Sequence, residues 1–255
     1  MSNIIFNNII HHNCFIKDGF VVLYNFFEPD FIEKLKNLYA QSIPNTNYSF
    51  YTTQWIPDYN YKNKISNSIG LIINERILKL VNNYQNIFAY FMVKHGQDTS
   101  FSHAHQDWSI VDESKHISIN CWLPLVSVKE NNGAMKILPK SHLKYNNPRG
   151  TDIKNSMYDH LEILKTEKFI TLNLNLGDLL LFDSRLIHAT SDNITNTTRV
   201  AVGSILKPTN AKVFHYYNKN NKTENIELDN DFLLKYSFGQ NFYDFLQQNY
   251  EKDIY

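Results

Sequence analysis

Cysteine is nearly missing from this chain: Cys14 and Cys121 are the two present among 255 residues. Two cysteines build neither a disulfide framework nor a Cys-rich zinc site, which fits a reducing compartment. No run approaches the ~20 consecutive apolar residues that a membrane-spanning helix needs, so no membrane partner is expected. Neither sign of charge is in excess, with Lys+Arg and Asp+Glu at 25 each. A basic nucleic-acid surface and an acidic tail are therefore both excluded as expectations. The opening MSNIIFNNIIHHNCF has no cationic start, long apolar run or small-residue cleavage site. No secretory leader is expected, and the expected location is cytoplasmic. On that reading the Asn-x-Ser/Thr sequons at Asn47, Asn193, Asn196 and Asn221 are chance matches in an Asn-rich chain.

Hydrophobic residues make up 43% of the chain and charged residues 20%, enough apolar material for a sizeable core and too little charge for disorder. No internal repeat is visible, and no Gly/Ser- or Pro-rich linker divides the sequence. The expected organisation is a single domain over 1–255: a helix-rich part over 1–85, a β-rich core over about 86–210 and a C-terminal extension over 211–255. Phe20–Leu23 reads as a short strand. Glu28-Pro29-Asp30 opens a helix whose apolar face carries Phe31, Ile32, Leu35, Leu38 and Tyr39, at the 3.6-residue period. Ser66–Val81 gives a second helix. After Asn86 the pattern turns to strands: Ile87–Val93, Ile117–Leu123, an alternating Phe169–Leu176, a continuous apolar Leu179–Phe182 after the Gly177-Asp178 turn, and Val200–Leu206. Short strands separated by turns indicate a sandwich or barrel. Residues 144–165 read as a polar insertion or lid, and Phe232–Leu246 as a terminal helix weakened by Gly239.

The sharpest local feature is Ser102-His103-Ala104-His105-Gln106-Asp107-Trp108. Side chains two apart on an extended segment point the same way, so His105 and Asp107 can present an imidazole and a carboxylate to one metal. Standing alone, such a pair is also what a hydrogen-bonded polar loop looks like. The second half of the signal is Leu176-Gly177-Asp178-Leu179-Leu180-Leu181-Phe182, a turn feeding a buried strand, followed by His188-Ala189-Thr190. His188 as third ligand completes the 2-His-1-carboxylate triad of non-haem iron(II) oxygenases, which leaves positions open for a bidentate cosubstrate and dioxygen. Arg199 begins the next strand. In an antiparallel pair it returns toward His188 with a permanent guanidinium fork suited to a carboxylate, and Thr190 can add a hydroxyl to the same anion. Taken singly, Arg199 suits a surface ion pair and His188 a satisfied core histidine; their joint order and spacing carry the argument.

With these residues in hand, the sequence resembles the phytanoyl-CoA dioxygenase family. The resemblance starts at Phe15-Ile16-Lys17-Asp18-Gly19-Phe20-Val21-Val22-Leu23 and passes through His105-Gln106-Asp107. It continues in Asn132-Gly133-Ala134-Met135-Lys136-Ile137-Leu138-Pro139-Lys140-Ser141-His142 and ends with His188 and Arg199. It implies a mainly β fold with flanking helices around a double-stranded β-helix core, that is, a cupin-like jelly roll. It also implies iron(II), 2-oxoglutarate as cosubstrate, and dioxygen. Carried over by position, His105, Asp107 and His188 hold the iron, Arg199 and Thr190 hold the distal carboxylate of 2-oxoglutarate, and Trp122 lines that site or serves as a core aromatic. Lys140 stands where the family usually has Gly before Ser-His, and His142 is read as structural. Halogenases of the superfamily replace the carboxylate ligand with Gly or Ala; with Asp107 in place, hydroxylation of an aliphatic C–H with release of succinate and CO2 is the expected reaction.

Four further residues are read as candidate substrate contacts: His103, and Trp108, Asp112 and Glu113 in the loop after the ligands. Tyr90, Met92 and Lys94 share one face of the preceding strand, where one of them can touch the cosubstrate. Asp183 and Arg185 read as a local ion pair. The expected partner is a small-molecule substrate, with no basic cluster of the kind that grips coenzyme A; oligomeric state is not readable. Two other functions compete: a non-catalytic jelly-roll binding or sensor protein, and a zinc or manganese cupin-like enzyme, which leaves Arg199 without a task.

Overall fold

Two antiparallel sheets face each other, and the order in which the chain visits them defines the architecture. This computed structural model describes residues 4–97, 102–153, 167–237 and 239–250, with Ser102 and His103 described by backbone alone. The larger sheet has the spatial order β1 (Phe20–Leu23), β8 (Leu179–Asp183), β5 (Ile119–Pro124), β10 (Arg199–Pro208), β3 (Tyr84–Lys94), β2 (Phe50–Thr52). The smaller has the order β4 (Ser102–His105), β9 (His188–Thr190), β6 (Met135–Ile137), β7 (Ile170–Leu172). From β3 to β10 the chain crosses repeatedly between them: β3, β5, β8 and β10 lie in the larger sheet and β4, β6, β7 and β9 in the smaller. This is the expected jelly roll.

Alternation along the central strands sorts their residues between two cores. On β3, β5, β8 and β10, the residues Ala89, Phe91, Val93, Ile119, Cys121, Leu123, Leu179, Leu181, Val200 and Val202 join the cluster under the helices. Their neighbours Trp122, Leu180, Phe182 and Ala201 face the smaller sheet instead. A strand covered on both faces needs apolar residues at nearly every position, which is why Leu179–Phe182 reads as an unbroken apolar run. The inward face also carries a polar set, Lys94, Asn120 and Arg199, all buried.

The outer face of the larger sheet is covered by α1 (Ile9–Asp18), α2 (Pro29–Ala40) and α3 (Tyr59–Leu78). The first was not expected from periodicity, yet its punctuation is present: the Asn8 side chain accepts from the amides of Ile10 and His11, and Gly19 closes the helix at φ 86°. The third begins at Tyr59 rather than Ser66 because Asp58 caps it, its carboxylate accepting from the Tyr61 amide at 3.0 Å. The alternating run Phe169–Leu176 yields only the short strand β7, with Leu174 making an isolated bridge to Val128.

Beyond the jelly roll, β11 (Val213–Lys219) and β12 (Lys222–Leu228) form a hairpin that periodicity did not reveal. Its turn residues Asn220 and Asn221 both have positive φ, 52° and 63°, as a two-residue type I′ turn requires. The expected terminal helix is split at Gly239 (φ 83°) into two pieces. In chain order after α4 (Ser141–Lys144) these are α5 (Phe232–Lys235) and α6 (Phe242–Tyr250). Hairpin and helices enclose a separate aromatic cluster with Phe232, Phe242 and Phe245 at its centre. Of the expected insertion over 144–165, residues 154–165 lie outside the described residues; the preceding segment runs along the hairpin, with Thr151 bridging Tyr217. No helix among the described residues is long and apolar enough to cross a membrane.

Candidate metal centre

Strand β9 is three residues long, and its alternation decides what faces inward: His188 and Thr190 are buried, while Ala189 between them is only partly so. It lies between β4 and β6, with His188 directly opposite His105 on one side and Ile137 on the other. The two imidazole centroids are 4.3 Å apart at 50°. The His188 Nδ1 lies 3.0 Å from the Leu186 carbonyl oxygen. A carbonyl only accepts, so Nδ1 carries the proton and the Nε2 lone pair is left for a metal. Burial lowers the His188 pKa to about 4, His105 adds to the effect and Asp107 opposes it. The imidazole is thus neutral near pH 7, the form that ligates.

Asp107 arrives differently from expectation. Strand β4 ends at His105, and Asp107 lies in coil. No ladder holds that coil, and side chains do so instead. The buried Gln106 amide donates to the carbonyls of Tyr145 (2.6 Å) and Arg185, pinning the chain between the two ligands. The Asn120 amide donates to Asp107 Oδ2 at 2.8 Å and to Ser184 Oγ at 3.0 Å, and Ser118 Oγ donates to Ser184 Oγ at 2.8 Å. His188 Nε2 and Asp107 Oδ2 are 3.8 Å apart. One ligand atom from each of His105, Asp107 and His188 lies within 4.8 Å of the others, so a single cation can be reached by all three. Two imidazoles and a carboxylate fit a divalent transition metal.

The three side chains open on a cavity of about 170 Å³ whose wall continues to Trp122, Met92, Met135 and Thr190. Tyr90, Asn120, Cys121 and Phe182 also line it, and the N-terminal part adds Phe50, Thr52, Gln54 and Trp55 from β2 and the 3-10 turn after it. Two buried polar atoms on this wall, Trp122 Nε1 and Thr52 Oγ1, have no hydrogen-bond partner among the described residues, a cost that a bound polar ligand removes. Behind this wall, and not among its lining residues, two cations are buried. Lys94 Nζ donates to Thr190 Oγ1 (3.3 Å) and to the Ser191 carbonyl (2.8 Å). Arg199, the cross-strand partner of Lys94, donates from Nη1 to the Met92 carbonyl at 3.2 Å, and its guanidinium lies 5.8 Å from the Trp122 ring centroid. Gly133, at φ 88°, makes room for both: a Cβ there would come within 3.1 Å of Arg199 Nε and 3.4 Å of Lys94 Cδ.

The other residues singled out in the sequence are dispersed. Trp108 does not line the cavity; it packs in the C-terminal aromatic cluster, with ring centroids 4.6 Å from His215 and 5.6 Å from Tyr236. Asp112 accepts from Lys115 and Ser114, which hold its pKa down to about 2. Glu113 is bound by Arg149 at 2.6 and 2.7 Å. The side chain of His103 lies outside the described residues. His142 is structural as expected, its Nε2 at 3.1 Å from the Ile16 carbonyl, and Asp183 and Arg185 form their local ion pair at 2.6 Å. Lys140 adopts φ 67°, the left-handed conformation that glycine tolerates best. Sequence reasoning missed Asn120, Gln106 and Arg149. Only Asn120 left a trace, as an amide in an otherwise apolar strand.

The family model described as phytanoyl-CoA dioxygenase matches residues 15–201. Among curated proteins, none matches the sequence at a significant level. Solved structures are similar in fold at low identity. The non-haem alpha-ketoglutarate-dependent carbocyclase SnoK from nogalamycin biosynthesis has a TM-score of 0.58 at 14% identity, over 81% of this chain and 86% of its own. The epimerase SnoN, in complex with Fe3+, alpha-ketoglutarate and nogalamycin RO, has a TM-score of 0.59 at 15% identity, over 79% and 83%. HygX from Streptomyces hygroscopicus, with nickel and 2-oxoglutarate bound, has a TM-score of 0.58 at 15% identity, over 80% and 88%.

Proposed function

The chain belongs to the phytanoyl-CoA dioxygenase family, and from that premise we propose that it is an iron(II)- and 2-oxoglutarate-dependent dioxygenase that hydroxylates an aliphatic C–H of a small metabolite. The observation that carries the reading is the convergence of His105, Asp107 and His188 within 4.8 Å on a cavity whose wall also holds Thr190 and Trp122, with Arg199 and Lys94 buried beside them. The fold-level neighbours SnoN and HygX bind 2-oxoglutarate together with a metal, which supports the same loading here.

In this reading His105 Nε2 or Nδ1, His188 Nε2 and an Asp107 oxygen hold the iron, and Asn120 keeps Asp107 Oδ2 aimed. His188 and Thr190 are two residues apart on one face of β9, so their Cα atoms stand roughly 6.6 Å apart, a span comparable to a five-carbon dicarboxylate. Thr190 therefore receives the distal carboxylate as the proximal end reaches the metal, and the buried cations Lys94 and Arg199 behind the wall supply the attracting charge. The apolar wall of Phe50, Met92, Met135 and Phe182 excludes water and strengthens those charge contacts. When bound, iron(II) and 2-oxoglutarate supply the oxidising power drawn from dioxygen, with succinate and CO2 as co-products. Purified protein given iron(II), ascorbate and 2-oxoglutarate is expected to form succinate, faster when a true substrate is added from a metabolite pool. His105→Ala and Asp107→Ala are expected to abolish turnover; full activity in either removes that residue from the ligand set.

A further inference from the structure

We propose that Arg149 is the positioning residue of the Asp107 ligand and acts through the Asp107 main chain, an inference that rests on the metal-binding reading above. Asn120 aims the Asp107 carboxylate, but the backbone that carries it lies in coil with no strand ladder. Gln106 pins the chain before Asp107, and Arg149 restrains Asp107 itself and the segment that follows. Its Nε donates to the Asp107 carbonyl at 2.7 Å. Nη1 and Nη2 donate to the two Glu113 oxygens at 2.7 and 2.6 Å, and Nη1 also to the Asn147 carbonyl at 3.0 Å.

The contacts close into a ring. Ser109 Oγ donates to Glu113 Oε2 at 3.0 Å, the Arg149 amide donates to Ser109 Oγ at 3.1 Å, and the Ser109 amide donates to the Arg149 carbonyl at 3.0 Å. The segment after Asp107 is thereby tied at Asp107 and Glu113 to one guanidinium that is 1% exposed, and at Ser109 to the Arg149 main chain. A planar fork donating in three directions does this; a lysine ammonium on a flexible stem does not.

Arg149 is itself set from outside the jelly roll. The Thr151 amide donates to the Tyr216 carbonyl and the Asn218 amide to the Thr151 carbonyl, both at 3.0 Å. Gly150 between them lies so close to β11 that a Cβ would fall 1.8 Å from the Tyr216 oxygen. The C-terminal hairpin lies past residue 201, where the family match ends, and it reaches the metal loop through this segment. A buried ion pair adds little net stability compared with well-packed apolar replacements. Stability alone therefore gives no reason to keep one against the ligand loop, whereas geometry does.

The test is cobalt(II) titration of the full-length protein stripped of metal, read by the cobalt d–d absorption, alongside thermal unfolding of the metal-free forms. Two variants are compared with wild type: Arg149→Lys, and the double variant Arg149→Met with Glu113→Leu, which leaves no lone buried charge. The double variant is expected to keep the wild-type midpoint without metal. Both are expected to bind cobalt about 10–100-fold more weakly with an altered spectrum. Wild-type cobalt affinity and spectrum in either folded variant overturn the inference. Failure of the wild-type protein itself to bind cobalt strikes the metal-binding reading and takes the inference with it.

Discussion

Acid should destabilise the metal-free protein before its carboxylates titrate, because two histidines are held neutral inside it. The perturbation is a pH change from about 7.5 to about 5 in chelator, which stays above the ordinary carboxylate pKa values of about 4. His188 is lowered to about 4 and His215 to about 3, each chiefly by burial. In the unfolded chain both return to about 6.5. Below that value the unfolded state binds two protons that the folded state refuses, so stability falls as pH falls and keeps falling until the folded values are reached. Each group contributes a slope of about 1.4 kcal/mol per pH unit, and the two together about 2.7. Across the roughly 1.5 units from 6.5 to 5 the loss reaches up to about 4 kcal/mol, a large part of the 5–15 kcal/mol that holds a typical domain. His142, also lowered chiefly by burial, acts with the same sign. Urea unfolding at a series of pH values measures the slope. His215→Phe isolates one proton: the ring already packs against Phe242 at 4.1 Å and Trp108 at 4.6 Å. Losing its contact with Thr151 lowers stability by a pH-independent amount. The variant slope should be shallower by about 0.7 kcal/mol per unit near pH 6.5, rising to about 1.4 near pH 5. An unchanged slope refutes the claim that His215 is neutral in the folded protein.

Two further outcomes follow from the site. Asn120→Ala removes the donor on Asp107 Oδ2 but leaves the Ser118–Ser184 hydrogen bond; cobalt(II) affinity should drop about 10–100-fold in calorimetric titration, and wild-type affinity would show that the amide does not orient the ligand. Arg199→Met should leave cobalt affinity intact and weaken 2-oxoglutarate binding to the metal-loaded protein by about 2–5 kcal/mol, the usual loss when one partner of a buried charge pair is truncated. Retained 2-oxoglutarate affinity in that variant would shift the anchor to Lys94.

By itself the sequence determined which faces are buried and which residue types can meet a metal. The apolar run Leu179–Phe182 and the strand opened by Arg199 were legible because side-chain direction on a strand depends only on position along it. The triad was legible because His105-Gln106-Asp107 and His188 carry rare, metal-competent groups in a recognisable order. Tertiary structure alone decided how those groups are held. Asn120 lies 13 residues from Asp107 and Arg149 lies 42 residues away, and nothing local marks either as its partner. The loop residues Trp108 and Glu113 looked equally ready to face a substrate. They went elsewhere because a hairpin past residue 211 offered an aromatic cluster to one, and a buried guanidinium took the other. Periodicity is written along the chain, but hydrogen bonds and ion pairs form between groups that only the folded backbone brings within about 3 Å.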